Sequence, residues 1–347
     1  VTSDHAQPHR NLTFTPVNTF YAAGMASAFH DLLAEKGTLV VDGAMGTQLF
    51  AVGLESGDPP EEWNISQPDK ISQVHQRYVD AGSDIFLTNS FGGTRFRLKL
   101  HNFQDRVFEL NKAAAEIGRR VADAAPRKIL VAGSMGPSGE LLEPMGEMTP
   151  QSAEDAFAEQ AEGLAAGGAD IIWVETMSDL GEITAAVKGA QKSCDLPVTV
   201  TLSFDTAGRS MMGVTGTAAA EALIPLGVAA LGANCGNNLA DTEAALAEMR
   251  AVHATIPLIS KGNAGIPVWK GASLEYSGTP EVMAAHAHRV HGVGASIIGA
   301  CCGSMPEHIT YMAKVLNGEL PPPEVQVPEG SANKPTPARR ARGRRRS

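Results

Sequence analysis

Ala295-Ser296-Ile297-Ile298-Gly299-Ala300-Cys301-Cys302-Gly303 sets a short apolar run directly against two adjacent cysteines and a glycine. Ala295 to Ile298 reads as a short buried strand, and Gly299 to Gly303 as the turn leaving its C-terminal end. A disulfide between neighbouring cysteines is strained, whereas two thiolates on a glycine-flanked turn can converge on one soft cation. Leu231-Gly232-Ala233-Asn234-Cys235-Gly236 repeats the pattern, since the apolar run Val228 to Leu231 also leads to a glycine-bounded cysteine. A lone cysteine is ordinarily a buried thiol. Three at strand ends make Cys235, Cys301 and Cys302 a candidate three-thiolate zinc site. Cys194 follows a helical segment and reads as structural.

Outward from these two stretches, one unit recurs: a short apolar strand with a polar residue at its end, a loop, then an amphipathic helix. The strands read as Thr38 to Gly43, Asp84 to Leu87, Ile129 to Ala132, Asp170 to Val174, Pro197 to Leu202, Val228 to Leu231, Ile256 to Ile259 and Ala295 to Ile298. Helical patterns cover Met25 to Lys36, Asp69 to Ala81, Phe103 to Ala124, Ala153 to Ala166, Asp179 to Lys192, Ala218 to Leu226, Asp241 to His253, Pro280 to Val293 and Pro306 to Leu316. This alternation predicts an α/β fold of the (β/α)8 TIM barrel kind. A doubly wound open sheet is the alternative, but the chain has no Gly-x-Gly-x-x-Gly turn, and its polar residues gather at every strand end. In a barrel all strand ends meet on one face, which brings Cys235 beside Cys301 and Cys302. The first strand-to-helix loop, 43–68, and the seventh, 262–279, are long and carry Trp63, Trp269 and Tyr276, as pocket-building loops do.

With 347 residues the chain can bury a full core without disulfides, and four cysteines, three of them candidate ligands, point to a reducing compartment. A 43% hydrophobic content with only 5% aromatics suits a helix-rich α/β protein. No apolar run is long enough to span a membrane, and the first 24 residues lack a signal-peptide pattern. The expected setting is cytoplasmic, with no membrane partner. The domain reading is a flexible N-terminal lead over 1–24, a barrel domain over 25–320 and a disordered Pro/Arg-rich tail over 321–347. The net charge of -10 conceals basic Lys334, Arg339, Arg340, Arg342, Arg344, Arg345 and Arg346 with no acid among them. A zinc-stabilised scaffold binding nucleic acid through that tail is a competing reading. The Pro-rich segment without apolar periodicity argues instead for a solubilising end.

Zinc on three thiolates with an open fourth position suits thiol alkylation, because a thiol bound to the metal loses its proton near neutral pH. An amino-acid substrate also needs a partner for its ammonium and donors for its carboxylate. Glu175 and Asp42, both at strand ends, suit the ammonium, and the backbone of Gly43-Ala44-Met45-Gly46 suits the carboxylate. Phe91 and Trp63, with Trp269 and Tyr276, offer aromatic faces to a cationic donor.

Asp42-Gly43-Ala44-Met45-Gly46-Thr47, Gly133-Ser134-Met135-Gly136-Pro137, Glu175-Thr176, Gly232-Ala233-Asn234-Cys235 and Gly299-Ala300-Cys301-Cys302-Gly303 together resemble, in the same order, the zinc-dependent homocysteine S-methyltransferase family over about residues 30–318. The chain looks most like the bacterial betaine-homocysteine S-methyltransferases, through 84–94, 203–209 and 260–267. The resemblance implies zinc on Cys235, Cys301 and Cys302, a catalytic role for these cysteines and Glu175, and homocysteine as acceptor, its amino group held by Glu175 and Asp42. It also places Gly43, Ala44, Ser134, Asn263, Trp63 and Phe91 among substrate-binding residues. In the homocysteine modules of cobalamin-dependent methionine synthases an Asn in a similar Asn-Ala-Gly segment can take the fourth zinc position, so Asn263 is a candidate exchangeable ligand. The implied activity forms methionine using glycine betaine. The alternatives are a sulfonium donor (S-methylmethionine or dimethylsulfoniopropionate) or a folate or cobalamin methyl group supplied by another chain. Animal betaine enzymes have Tyr where this chain has Thr176, and the oligomeric state is left open.

Overall fold

Parallel strands that must each bury both faces are written as near-continuous Val, Ile, Leu and Ala runs, and eight such runs build the structure. This computed structural model describes residues 27–325 except 206, 266, 271 and 272, with the backbone alone for 267–270 and 273–275. The lead expected over 1–24, and the tail beyond 325, lie outside the described residues. The barrel strands are β1 (Leu39–Val40), β2 (Ile85–Leu87), β3 (Leu130–Met135), β4 (Ile171–Met177), β5 (Val198–Leu202), β6 (Ala230–Cys235) and β7 (Leu258–Gly262). A hairpin of β8 (Pro267–Lys270) and β9 (Ser273–Tyr276) follows, and β10 (Ala295–Ala300) completes the barrel. The eight-stranded sheet runs β1-β10-β7-β6-β5-β4-β3-β2, with each neighbouring pair parallel. A parallel bridge from Val41 to Ile85 joins its ends. The fold is the (β/α)8 TIM barrel.

Twelve α-helices are described. They are α1 (Ala28–Lys36), α2 (Met45–Ala51), α3 (Trp63–Ser66), α4 (Pro68–Asp80), α5 (Arg95–Leu98), α6 (Val107–Ala124), α7 (Pro150–Ala166), α8 (Leu180–Ser193), α9 (Gly216–Leu223), α10 (Leu239–Val252), α11 (Pro280–Val293) and α12 (Pro306–Leu316). Most begin on the cap chemistry that their sequences carry: Ser27, Thr94, Thr149, Asp179, Thr215, Asn238 and Thr279 each accept a backbone N–H of the first turn.

Alternation within each strand sorts side chains into two layers. Leu39, Val41, Ile85, Leu87, Leu130, Ala132, Ile171, Trp173, Ala230, Ile259 and Ile297 fill the barrel interior, and α1 adds Phe29, Leu32 and Leu33 to the same cluster, closing the end away from the cysteines. The intervening residues, such as Ile172, Val174, Val200, Leu202, Leu231 and Ile298, face the helices in a separate cluster.

The structure departs from the sequence reading at strand ends. The third, fourth, sixth, seventh and last strands run two to four residues further than their apolar runs, so Ser134, Glu175, Cys235 and Lys261 are strand residues. Ladder hydrogen bonds, not apolar content, set these ends. The first strand is shorter than expected, because Asp42 turns its carboxylate to the Leu87 N–H at 2.8 Å. The helix expected from Phe103 starts at Val107, after Asn102 at φ 60 breaks the preceding turn. Among the described residues no helix is long and apolar enough to cross a membrane.

At the opposite end of the β1–β2 seam, buried Asp84 accepts the Val40 N–H at 3.0 Å and pairs with Lys36 at 2.6 Å and Arg127 at 3.1 Å. Asp84→Ala leaves two cations and a backbone donor unpaired, and is expected to cost about 3 kcal/mol. Urea unfolding measures this, and a loss below about 0.5 kcal/mol, the level of an ordinary surface substitution, would show that the seam does not depend on it.

Candidate active site

The last residues of β4, β6, β7 and β10 bring the chemistry-bearing side chains to one end of the barrel. Cys235, Cys301 and Cys302 place their sulfurs within 4.8 Å of one another, and the Sγ atoms of Cys235 and Cys301 are 2.9 Å apart. Hydrogen bonds to Cys301 and Cys302 raise Cys235 well above the usual thiol range, and those to Cys235 and Cys301 lower Cys302. The set fits a soft divalent cation: three converging thiols and no competing carboxylate within the cluster. The asparagine that the sequence offers as a fourth ligand lies in the same loop set. Asn263 follows β7, whose Gly262 is the Cα partner of both Cys235 and Ala300. Its Nδ2 donates to Gly236 O at 2.8 Å, and its buried Oδ1 has no hydrogen-bond partner among the described residues.

The Asn234 amide organises the sulfurs from below. Its Oδ1 accepts the Thr176 N–H at 2.8 Å, while Nδ2 donates to Thr176 Oγ1 at 2.7 Å and lies 3.5 Å and 3.8 Å from the sulfurs of Cys235 and Cys301. Thr176 and Cys235 both adopt left-handed backbone, at φ 59 and φ 54. Such conformations cost about 1 kcal/mol or more each and persist where surrounding structure enforces them.

Beside the sulfurs lies a buried charge network. Lys261 donates to Asp42 Oδ1 at 2.7 Å, and Asp42 Oδ2 accepts the Leu87 N–H. Burial alone would lower Lys261, yet the Asp42 and Glu175 carboxylates raise its ammonium above the ordinary value. Its Nζ also stands 5.7 Å over the Trp173 ring. Glu175 takes the Ser134 hydroxyl on Oε1, and no described residue donates to Oε2. Burial pushes Glu175 up to about 7, with Lys261 opposing the rise. Burial likewise raises Asp42 against the pull of Lys261.

Asp42, Gly43, Ala44, Phe91, Ser134, Glu175 and the three cysteines line one cavity of about 570 Å3, within the size range of small-molecule sites. Gly43 is required for close approach, because a Cβ there would stand 2.4 Å from Ser304 Oγ. That hydroxyl already accepts the Ala44 N–H at 3.0 Å, so this amide is not spare for a substrate carboxylate. Tyr276 lies against the cluster, its phenol pushed up to about 12 by burial and the three sulfurs. Phe91 is 37% exposed at the cavity wall. Trp63 does not line it: the ring is 9% exposed in the core, with Lys70 Nζ 4.4 Å from its centroid. The Trp269 side chain lies outside the described residues. Sequence reasoning missed Lys261, although a charge closing the apolar run Leu258 to Ser260 was a usable signal. It also missed Asn234, Glu61 and Ser304.

The family profile for homocysteine S-methyltransferase matches residues 39–316. The chain belongs to this family. Among curated relatives it is 36% identical over 312 residues to a protein named methionine synthase from Mycobacterium tuberculosis, covering 86% of this chain and 26% of that protein. The methionine synthase of Mycobacterium leprae is 36% identical over 298 residues, covering 82% and 24%. The chain thus spans about a quarter of the length of these relatives. Among solved structures, the Escherichia coli homocysteine methyltransferase MmuM in its metallated form aligns at TM-score 0.71 and 24% identity over 82% of this chain and 98% of that one. That likeness bears on the fold, which the family members share.

A carboxyl held near 7 against an ordinary 4.5 makes stability depend on pH. Below 4.5 both states keep the proton; between 4.5 and about 7 the unfolded chain has lost it and the native one has not, so native stability falls as pH rises through this window. Glu175→Gln removes that loss. In metal-stripped protein the stability of the variant relative to wild type is expected to rise on the order of 3 kcal/mol between about pH 4.5 and 8. A difference that stays flat with pH would mean that Glu175 ionises as an exposed carboxyl does.

Proposed function

We propose that this chain methylates the sulfur of homocysteine to give methionine, taking the methyl group from an onium donor of the glycine betaine kind. The observation that carries the reading is the convergence of Cys235, Cys301 and Cys302 within 4.8 Å on a cavity whose wall holds Glu175 with one oxygen free of protein donors. Zinc bound by these sulfurs would lower the pKa of a substrate thiol taking the remaining position and keep it nucleophilic at neutral pH.

The protein groups do the rest. Glu175 Oε2 accepts the ammonium of the amino acid, an interaction that offsets the desolvation raising its pKa. Ser134 fixes the carboxylate that does so. Lys261 neutralises Asp42, so that two acids and three sulfurs do not repel one another at close quarters. The Asn234 amide sets the direction of the Cys235 and Cys301 sulfurs, as outer partners of metal ligands do. Asn263, its Oδ1 without a partner among the described residues, would yield its position to the substrate sulfur. Phe91 presents a ring to the cationic donor. A sulfonium donor would meet the same wall. The name of the mycobacterial relatives agrees with methionine as product. Four free cysteines among the described residues suit a reducing, cytoplasmic setting.

The purified protein is expected to hold about one zinc per chain. Cys235→Ala, Cys301→Ala and Cys302→Ala should each lose metal and methionine formation together, while Cys194→Ala, whose thiol packs half-buried against Ala190 O, keeps both. X-ray absorption should show homocysteine adding a sulfur and displacing a light atom. Full metal content in all three cysteine variants would sink the site, and an unchanged sulfur count with homocysteine would make the metal structural.

A further inference from the structure

The cavity continues past Phe91 to a second charged group, Glu61, Arg97 and His101, with Asp58 at its exposed edge. Glu61 is buried, and its Oε1 accepts the Gly92 N–H at 2.6 Å. A Cβ on Gly92 would stand 2.9 Å from that oxygen, so glycine at 92 is what lets a carboxylate lie directly beside Phe91. Burial raises the Glu61 carboxyl above its ordinary value, with the Gly92 amide, Arg97 and His101 pulling it down. A carboxylate in this position gains from an arriving cation more than an exposed one does.

Arg97 and His101 stand half-buried on the same wall. The Arg97 stem lies against Gly139, and among the described residues its guanidinium has no carboxylate at ion-pair distance and no hydrogen-bond acceptor. The His101 ring likewise has no hydrogen-bond or ion-pair partner among them, and both groups act on Glu61 only at longer range. Asp58, the other acid on this wall, is exposed and accepts the Glu55 N–H at 3.3 Å. In a chain with 38 acidic and 28 basic residues, two half-buried donors left without an acceptor in a cavity are placed for an anion from outside. Neighbouring Arg95, by contrast, is paired with Glu159 at 2.6 Å.

We propose that this outer half of the cavity is the donor subsite and that it reads a zwitterion: Glu61 and the Phe91 ring take the onium centre, and Arg97 with His101 holds a carboxylate on the same molecule. The inference rests on the methyl-transfer reading above and names the residues that select the donor. In the transfer, the bond between the methyl carbon and the onium nitrogen or sulfur breaks, and its electron pair leaves with the neutral amine or thioether. The homocysteine thiolate supplies the pair for the new carbon–sulfur bond, so nothing is oxidised or reduced. The onium charge fades as this happens, so Glu61 favours the ground state and acts on the Michaelis constant. The carboxylate keeps its charge throughout, and Arg97 and His101 act on binding alone.

The test uses the full zinc-loaded chain, without homocysteine for binding and with it for turnover, and three probes: glycine betaine, dimethylsulfoniopropionate, and tetramethylammonium, which has no carboxylate. Equilibrium binding by calorimetry and methionine formation are read in parallel, with zinc content and circular dichroism confirming that each variant folds. Arg97→Gln and His101→Gln should each weaken the zwitterions about tenfold, leave the Michaelis constant for homocysteine within about twofold, and not alter tetramethylammonium binding; Arg97→Lys should recover part of the loss. Glu61→Gln should weaken all three probes without lowering kcat. Whether betaine or the sulfonium compound binds more tightly identifies the source of the zwitterion. Zwitterion binding indifferent to Arg97→Gln overturns the proposal, as does no binding of either zwitterion while homocysteine still adds a sulfur to the metal. Binding is read without turnover, so a failure of homocysteine to reach the metal would defeat the methyl-transfer reading separately.

Discussion

The ion pair between Lys261 and Asp42, 2.7 Å long and almost wholly removed from water, is the constraint on which the barrel mouth depends. It reaches from β7 past β10 to the end of β1, so it joins the strand that precedes Asn263 to the turn that begins the first active-face loop. A buried pair of this kind is favourable only when each member finds further partners, because desolvation otherwise exceeds the attraction. Asp42 has the Leu87 amide, and Lys261 has the Glu175 carboxylate and the Trp173 ring. The contact with Cys235 and, more weakly, the Lys261 ammonium pull the Cys301 thiol down, against the Cys302 contact and burial, which raise it. Removing Lys261 would leave two acids and three sulfurs facing one another without a fixed positive charge.

Much of this was legible in the sequence because it depends on period and punctuation. The apolar runs ending at Leu87, Ala132, Val174, Leu231 and Ile298 mark strands, and the glycine-bounded cysteines mark the ends of two of them. A closed parallel barrel leaves such ends no option but to meet on one face. Cys235, Cys301, Cys302, Asp42 and Glu175 were found this way, Ser134 came with the family resemblance and Phe91 as an aromatic face, and all of them line one cavity. Lys261 was passed over because a lysine after an apolar run ordinarily marks the strand's exit into water. Only the three-dimensional neighbourhood shows that two carboxylates await it. Asn234 sits beside a cysteine that absorbed the attention, and Glu61 lies within a long loop where an acid carries no signal. Trp63 illustrates the converse. Its place in an active-face loop suggested a pocket wall, but α3 and α4 turn the ring into the core, where Lys70 covers it.

The site also shows where the fold concentrates its conformational cost. Thr176 and Cys235, neither of them glycine, hold left-handed backbone at the ends of β4 and β6, and a single asparagine amide bridges them across β5. With a raised Glu175, these features oppose folding locally and are carried by the apolar layers beneath. The surrounding helices need no such compromise, since most start on a matching cap and bury a continuous apolar face.

The β1–β2 seam has a further consequence. β1 is two residues long, and side chains stand in for ladder bonds at both of its ends: the Asp84 carboxylate takes the Val40 amide and the Asp42 carboxylate takes the Leu87 amide. The second of these staples is also a wall of the cavity. Any ligand that draws on Asp42 therefore competes with the Leu87 amide at the clasp that closes the cylinder, and loading the mouth and easing the seam are mechanically one event. Faster amide exchange at Leu87 on ligand binding would be its signature.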